Sequence, residues 1–495
     1  MDSPPTPLTQ TSAMTWRWAV LLLLTAACYL FGLGGQNIPS NGDEMVYAHI
    51  ARLTALSQHW LPLASDLENM RNTKPPLLFW QAMVAGDWGG HWTLTALRAP
   101  SLLYTLLVCG AIVYTVRRWT RNTAQALLAG CIYLAFFCTF RYGRPYLTSA
   151  AESFWFGLPM FWLLCQGSPA RGGSRAAQVL THLLIGLAWG LGSAYKSFAL
   201  IAPAAAAYWA ATLASQPSLQ WRFALKATLL SAFSVVVALA FFSLWFALDP
   251  DPGAVWKEFV VGENAGKMAG SEGYWHAALH GGSSMWAQLL AYAQNAGLLL
   301  FVVLGLFVLG AQAAYRRAWP AANHAPLLWA LLAWLAVWLL VFTIPSQRSA
   351  RYVIPAMPAL AMVLALYWQR IARPWFWLTL LPCAAALAVL GRIAWVAQDL
   401  HLGSQSVFAL TLLFTAAGVA AMVGSMAKPA WTRACALAAC LSVFACLDGA
   451  LAPLDGPDGR YDAAAAQQLK GAKVAVPNGF NGAFERYQFL LPGNR

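Results

Sequence analysis

Charged side chains are scarce in this chain: Asp, Glu, Lys and Arg together make up only 10% of its 495 residues, whereas hydrophobic residues make up 59%. The mean hydropathy is +0.55. A soluble globular domain carries more charge and a smaller apolar fraction. The composition therefore excludes an ordinary soluble protein and predicts an integral membrane protein.

Polar stretches are also few, and long apolar runs recur along almost the whole sequence. A helix needs about 20 apolar residues to cross about 30 Å of hydrocarbon. Thirteen runs approach that length, which predicts an all-α polytopic membrane protein with about thirteen transmembrane helices. The predicted spans are residues 16 to 35, 93 to 116, 122 to 140, 145 to 166, 177 to 195, 197 to 214, 227 to 248, 286 to 311, 325 to 344, 353 to 368, 375 to 396, 405 to 424 and 431 to 451.

The polar remainder defines the predicted organisation. Residues 1 to 452 form one transmembrane unit, and its two sizeable outer loops, 36 to 92 and 249 to 285, are expected to carry the functional site. Residues 453 to 495 form a short extracytoplasmic tail, which is expected to contain a short helix and the β-like stretch AKVAV.

Acidic residues are almost absent from one side of the predicted membrane. If the N-terminus is cytoplasmic, every cytoplasmic turn is basic, as the positive-inside rule expects. Of the 18 Asp and Glu residues, only Asp2 falls on that side. Because acids contribute little to topology, this bias indicates a site on the outer face. The net charge of +13 follows from the basic turns and implies no nucleic-acid partner.

Cysteine is missing from the predicted outer loops, since all nine cysteines lie within hydrophobic runs. An oxidising compartment would pair cysteines that are exposed to it, so no disulfide is expected. The apolar run continues past Cys28, which favours an uncleaved first helix over a cleaved signal peptide.

Against this sparse background, the stretch NGDEMVYAHI places Asp43 and Glu44 side by side after the first apolar run. Apolar residues then recur at helical spacing, which predicts a helix lying in the membrane interface. They are Val46, Ile50, Leu53 and Trp60. Asp43 and Glu44 are therefore candidate catalytic residues at the membrane surface. The alternative is that the two acids only cap the helix N-terminus.

Lys74 precedes two prolines in NTKPPLLFW, residues 72 to 80. The prolines stiffen the backbone and can open a helix at its first turn. A lysine held in this way, with acids upstream, is suited to binding a phosphate. The alternative is a lysine that snorkels to lipid headgroups.

Glu152 lies about two turns into a predicted membrane helix, where an acid is expensive unless it is paired or faces a wet cavity. It is therefore a second candidate acid, and the alternative is an ion pair with Arg141 or Arg144. Further cations at outer helix junctions predict an anion-binding surface. They are Lys196 and, in PSQRSARYVIP, Arg348 and Arg351, with Tyr352 beside them.

The second outer loop contains two spaced sets of polar residues. Glu263, Asn264 and Lys267 share one helix face by their i, i+4 spacing. Glu272, His276 and His280 have a spacing that suits a divalent metal, with Glu263 as a further candidate ligand. Histidines near an interface are more often plain polar anchors, and that alternative stays open.

Taken in order, these motifs resemble the C-type polytopic glycosyltransferases, in particular the lipid A aminoarabinose transferases and the protein mannosyltransferases. The motifs are the DE pair with Tyr47, the KPP segment, Glu152, the EN of the second loop and the late RYVIP. The resemblance extends over most of residues 15 to 370. Thr73 departs from it, because these transferases usually have Glu before KPP, and so does Lys267, where Arg is expected.

The resemblance implies an enzyme that moves a sugar from a polyprenyl-phosphate carrier to lipid A, another glycolipid or a protein. This transfer would take place on the periplasmic face of the inner membrane. It implies Asp43 as the leading catalytic residue, Glu152 as a second acid near the acceptor or a metal, and Lys74 as a ligand of the carrier phosphate. Tyr47, Lys196, Lys267, Arg348, Arg351 and Tyr352 would assist in binding, and a divalent metal is a candidate cofactor.

The chemistry of such a transfer agrees with these residue types. A polyprenyl phosphate is already a good leaving group, so cations that stabilise its negative charge matter more than a general acid. A carboxylate is needed to orient or deprotonate a hydroxyl acceptor. We expect a single, inverting displacement. The alternatives are a transporter of lipid-linked sugars, which should display internal repeats, and a membrane assembly subunit without chemistry.

Overall fold

The computed structural model describes residues 12–35, 42–66, 70–168, 174–216, 218, 220–265, 274–316, 325–402, 404–454, 467–469, 485–486 and 489. These residues form helices joined by short loops, and no strand occurs among them. The predicted all-α class is confirmed. The AKVAV stretch of the tail lies outside the described residues.

Helices begin and end close to the limits of the apolar runs. The α-helices of the first half are Ser12–Leu30, Gly42–Leu56, Pro76–Ala85, Leu94–Thr120, Thr123–Leu134, Phe137–Gly143, Ser149–Gln166, Arg175–Ser193, Ile201–Ala214, Trp221–Leu248 and Pro252–Val255. Those of the second half are Tyr274–Leu279, Met285–Leu289, Ala291–Ala296, Leu300–Tyr315, Ala325–Thr343, Met357–Tyr367, Arg373–Asp399, Gln405–Ala427 and Thr432–Leu451.

Each of the thirteen predicted spans coincides with a helix or a broken helix, but fewer are complete membrane spans. In the described part of the chain, nine helices are long and apolar enough to cross a membrane. A tenth is reached if Thr123–Leu134 and Phe137–Gly143, which bend by 62° at their junction, count as one span. Thr15–Leu30 and Phe198–Ala214 are apolar but shorter. The chain is a multi-span membrane protein, and the count of thirteen crossings stays a prediction.

The largest hydrophobic core lies between the long helices and is filled by bulky aromatic side chains. Trp189, Trp334, Trp338 and Trp368 are fully buried in it. Small residues allow close helix crossings, because a Cβ on Gly186 or Gly190 would press against helix Trp221–Leu248. All nine cysteines are free, and eight of them are buried.

The first outer loop folds onto the protein. We call helix Gly42–Leu56 the acid-pair helix, because Asp43 and Glu44 lie in its first turn. Its apolar residues Val46 and Ile50 are buried in a second cluster with Leu78 and Phe79. The predicted helix therefore exists, but its apolar face packs on protein.

The second outer loop contains a π-helix, Trp256–Ala265, which follows the short helix Pro252–Val255. Val255 and Phe259 pack against Phe242 and Trp245 of the preceding long helix. Single π-turns recur at functional sites, since the wider turn re-aims side chains. Here the segment faces the loop that carries Lys74.

Candidate active site

Three cation and carboxylate pairs join segments that are far apart in sequence. Each pair has a nitrogen to oxygen distance near 3 Å. They are Arg351 with Asp43 at 3.1 Å, Lys74 with Glu263 at 3.1 Å, and Lys196 with Glu152 at 3.0 Å. The acid-pair helix, the KPP segment, both outer loops and the RYVIP segment thus contribute to these contacts.

Two tyrosines lie beneath the lysines. Lys74 Nζ is 5.7 Å from the ring centre of Tyr47, and Lys196 Nζ is 5.6 Å from that of Tyr352. Both distances fit a cation–π contact, which holds a cation without neutralising it. Tyr47 and Tyr352 therefore lie next to Lys74 and Lys196, and their part in substrate binding stays a prediction.

The three pairs are close enough for their charges to act on one another. Burial lowers the pKa of the Lys196 ammonium, Glu152 opposes that shift, and the nearby cations Arg351 and Lys74 lower the pKa further. Burial also raises the pKa of Tyr47, and Asp43 adds to that rise. Because charges from all three pairs act on these two groups, the site is a compact mixture of positive and negative charge.

Asp43 is the most exposed carboxylate among the three pairs, with 46% of its side chain accessible, compared with 29% for Glu263 and 1% for Glu152. Arg351 orients it and is itself held over the ring of Tyr142, 4.7 Å from the ring centre. The Asp43 carboxylate is therefore both oriented and accessible.

Glu44 is placed differently from its neighbour, because it is 1% exposed and does not contact the three pairs. Its two oxygens accept hydrogen bonds from Arg98 at 2.7 and 2.8 Å, and one also accepts from the backbone N–H of Tyr146. This geometry is that of a bidentate buried ion pair. It leaves Glu44 no accessible oxygen for chemistry.

Glu152 lies in the first turn of helix Ser149–Gln166 and not two turns into a helix as predicted, because the helix begins only at Ser149. It is buried and paired, but with Lys196. The alternative partners are used elsewhere: Arg144 binds Asp448, and Arg141 lies over the rings of Phe137 and Tyr142. The second oxygen of Glu152 is buried and has no hydrogen-bond partner among the described residues. A buried acceptor left in this state is open to a donor from a bound molecule.

The KPP segment fixes Lys74 as its prolines predict. Pro75 is extended and Pro76 opens helix Pro76–Ala85. Lys74 Nζ donates to the carbonyl of Thr73 at 2.7 Å as well as to Glu263, and only 14% of its side chain is exposed. Lys74 is thus held by protein groups within the site, which does not favour the snorkelling alternative.

Arg348 lies apart from the three pairs. It is 4% exposed and donates to the backbone carbonyls of Thr343, Ala277 and Ser283. Its guanidinium also lies over the ring of Tyr274. The structure thus uses Arg348 to tie the second outer loop to the end of helix Ala325–Thr343.

The predicted metal ligands do not gather in the described part of the chain. His276 and His280 stack with their ring centres 4.9 Å apart, and Glu263 binds Lys74. No three His, Cys, Asp or Glu side chains in the described ranges are placed to hold a metal. Glu272 and Lys267 lie outside the described residues.

Sequence reasoning missed the residues that support the site. Glu258 accepts two hydrogen bonds from Asn72 and thereby joins the two outer loops, while Tyr142 supports Arg351. Arg98 could have been predicted to form an ion pair, because a charged residue inside an apolar run needs a partner. Nothing in the sequence identified that partner as Glu44.

Comparisons with known proteins give this geometry a context. No protein-family model matches the chain. The undecaprenyl phosphate-alpha-4-amino-4-deoxy-L-arabinose arabinosyl transferase 1 of Sodalis glossinidius is 30% identical over 362 residues, 72% of this chain and 58% of the relative. The undecaprenyl phosphate-alpha-4-amino-4-deoxy-L-arabinose arabinosyl transferase of Yersinia enterocolitica is 24% identical over 458 residues, which are 88% of this chain and 76% of the relative.

The crystal structure of ArnT from Cupriavidus metallidurans bound to undecaprenyl phosphate superposes with a TM-score of 0.63 at 18% identity. The alignment covers 96% of this chain and 84% of ArnT. The chain has the fold of ArnT. The resemblance to C-type glycosyltransferases predicted from the sequence is confirmed, while the chain spans only 58% of the length of its Sodalis relative. In a fold shared with ArnT, the three ion pairs are the candidate active site.

Proposed function

We propose that the chain is an inner-membrane glycosyltransferase. It moves a sugar from a polyprenyl-phosphate carrier to lipid A, another glycolipid or a protein on the periplasmic face. Its relatives from Sodalis glossinidius and Yersinia enterocolitica are named as transferases of an undecaprenyl-phosphate-linked aminosugar, which supports this class of donor. So does the ArnT structure, which was solved with undecaprenyl phosphate.

One observation carries the proposal: Lys74, Lys196 and Arg351 belong to one charged cluster, in which Arg351 binds the half-exposed carboxylate of Asp43. Cations from separate segments that meet at one point suit a ligand with several anionic oxygens. A carboxylate at the edge of such a set suits a second, acceptor molecule.

The cations bind and stabilise the leaving phosphate. As the glycosidic bond breaks, charge grows on the phosphate oxygen, and preorganised cations stabilise that charge. Lys74 is bound to Glu263, a partly exposed acid. An incoming phosphate competes with Glu263 for Lys74, so the site stays nearly neutral until the donor arrives.

Asp43 orients the acceptor. It deprotonates a hydroxyl acceptor, whereas an anionic phosphate acceptor needs only to be positioned. A retaining mechanism uses a nucleophile and a second acid or base close to the same bond. In the described part of the site the other acids are buried or bound to lysine. We therefore propose a single displacement with inversion at the sugar carbon.

Glu44 and Glu152 act through other residues. Glu44 fixes the acid-pair helix by its bond to Arg98, so we assign it a positioning role. Glu152 holds Lys196 in its cationic form and offers its second oxygen to the sugar or acceptor. Arg348 shapes the second outer loop around the donor.

The test measures release of polyprenyl phosphate from a lipid-linked sugar pool by purified protein in liposomes that contain candidate acceptors. Wild type should release it only when an acceptor is present. Asp43→Asn should lower the rate by about 100-fold or more, since it removes the acceptor-orienting group. Lys74→Ala should lower it by a similar factor of about 100-fold, because it removes a stabilising cation.

Two matched variants serve as controls. Asp87→Asn makes the same change at an exposed position of the first outer loop, and Lys257→Ala does so in the second. Both should keep wild-type rates. Equal release from all five proteins would refute the residue assignment. A parallel series with EDTA and with added divalent metal tests whether the transfer needs a metal. His276→Ala, which removes a candidate metal ligand, is measured in the same series.

A further inference from the structure

Glu485 of the C-terminal tail is buried against the acid-pair helix. Its Oε1 lies 2.7 Å from His49 Nδ1 and accepts hydrogen bonds from Arg52 at 2.6 and 2.8 Å. The side chain is fully buried. Phe489, four residues further along the chain, packs against the hydrophobic cluster that contains Val46.

These contacts lie on the back of the helix that presents Asp43. With 3.6 residues per turn, Arg52 is about two and a half turns from Asp43 and therefore points to the opposite side. The front of the helix carries Asp43 and Tyr47, which face the cations. The tail thus holds this helix from behind while Arg351 holds it in front.

The charges make this contact specific. Asp66 lies 2.5 Å from His49 Nε2, so both ring nitrogens face carboxylates. With both carboxylates ionised, each nitrogen must donate, and the ring is an imidazolium. Burial lowers the pKa of His49, but the hydrogen bonds to Glu485 and Asp66 outweigh it and leave the pKa raised. Without Glu485, one side of the histidine and Arg52 would lose the buried counter-charge.

We propose that Glu485 is a positioning residue for the transfer reaction: by binding His49 and Arg52, it anchors the acid-pair helix and fixes Asp43 relative to Arg351. This role rests on the proposed function. Small displacements of a reacting group are costly, since a shift of about 1 Å can lower a rate by about 100-fold.

The first experiment does not depend on activity. Hydrogen exchange of the full-length protein is followed in peptides that cover residues 42 to 56. In Glu485→Gln, amide protection of this helix should fall by about tenfold or more, because it loses a buried ionic anchor. The control Asp399→Asn removes one carboxylate charge at an exposed position and should leave protection unchanged. Unchanged protection in Glu485→Gln would overturn the anchoring.

The second experiment measures kinetics with the release assay. In Glu485→Gln, kcat should fall by about tenfold or more while the KM for the donor stays within about twofold, since the lysines that bind the phosphate are unaltered. An unchanged kcat with lost helix protection would overturn the positioning role. If wild type shows no turnover, the proposed function fails, and the exchange experiment still decides whether the tail holds the helix.

A charge exchange separates positioning from general destabilisation. Because an arginine at position 485 would also face the His49 imidazolium, the exchange is made together with His49→Gln. Adding Arg52→Glu to His49→Gln with Glu485→Arg restores an opposite-charge pair and should recover part of both helix protection and kcat. Failure to recover either quantity would overturn the assignment to this ion pair. If Glu485→Gln cannot be purified folded, Glu485→Asp, which keeps the charge on a shorter side chain, provides both measurements.

Discussion

Asp43 and Glu44 have opposite surroundings although they are adjacent in sequence. Successive helical residues point about 100° apart, so one acid reaches the site and the other enters the protein. Asp43 is half-exposed and bound by Arg351, whereas Glu44 is buried and bound by Arg98. We therefore propose a role in the reaction for Asp43 and a structural role for Glu44.

Removing the charge of each acid should therefore have different effects on stability. Glu44→Gln leaves Arg98 buried with a neutral partner, and breaking a buried ion pair costs about 3–5 kcal/mol. Asp43→Asn breaks a half-exposed pair, which contributes about 1 kcal/mol or less. Thermal unfolding in detergent micelles should show a clearly lower melting temperature for Glu44→Gln only. Equal melting temperatures for the two variants would contradict the assigned roles.

Lys196 should make donor use dependent on pH. Burial lowers its pKa and Glu152 opposes that shift. Phosphate binding by Lys196 is complete below this pKa and is lost as pH rises through it. In Glu152→Gln the pKa falls further, so the alkaline decline of kcat/KM should move to lower pH. Glu258→Gln, which alters an acid that binds Asn72, should keep the wild-type profile. Superimposable profiles of wild type and Glu152→Gln would refute the coupling.

At the scale of elements, the site is built where helices begin and where they are interrupted. The acid-pair helix, helix Pro76–Ala85 and the 3-10 segment Ala350–Ala356 each present a site residue at or just before their first turn. Lys196 lies in a short turn after helix Arg175–Ser193, and Glu263 lies in the π-helix Trp256–Ala265. Such irregular backbone aims side chains sideways from the bundle, which a continuous membrane helix does not do.

At the scale of the whole molecule, the predicted topology puts the basic turns and the acidic loops on opposite sides of the membrane. The basic turns predict a cytoplasmic N-terminus, and the two outer loops join through Lys74 with Glu263 and Asn72 with Glu258. A single outer site therefore requires both loops on the same side of the membrane.

This topology is testable by accessibility in intact spheroplasts. Lys257→Cys, in the second outer loop, should react with a membrane-impermeant maleimide. Arg117→Cys, at the predicted cytoplasmic end of helix Leu94–Thr120, should react only after permeabilisation. The native protein, in which eight of the nine cysteines are buried, measures the background labelling by the maleimide. Labelling of Arg117→Cys in intact spheroplasts would contradict the predicted orientation and indicate the opposite one.

The sequence by itself determined the membrane class, the positions of the helices and the candidates Asp43, Lys74 and Glu152. Apolar run length and local proline and charge patterns are short-range signals, so they can be read without a fold. The partners were decided only by tertiary structure. Arg351 is 308 positions from Asp43, and Glu485 is 436 positions from His49. Glu152 pairs with Lys196 and not with Arg141 or Arg144, the partners expected from the sequence. Pairing over such separations depends on how the helices pack, and no local pattern specifies it.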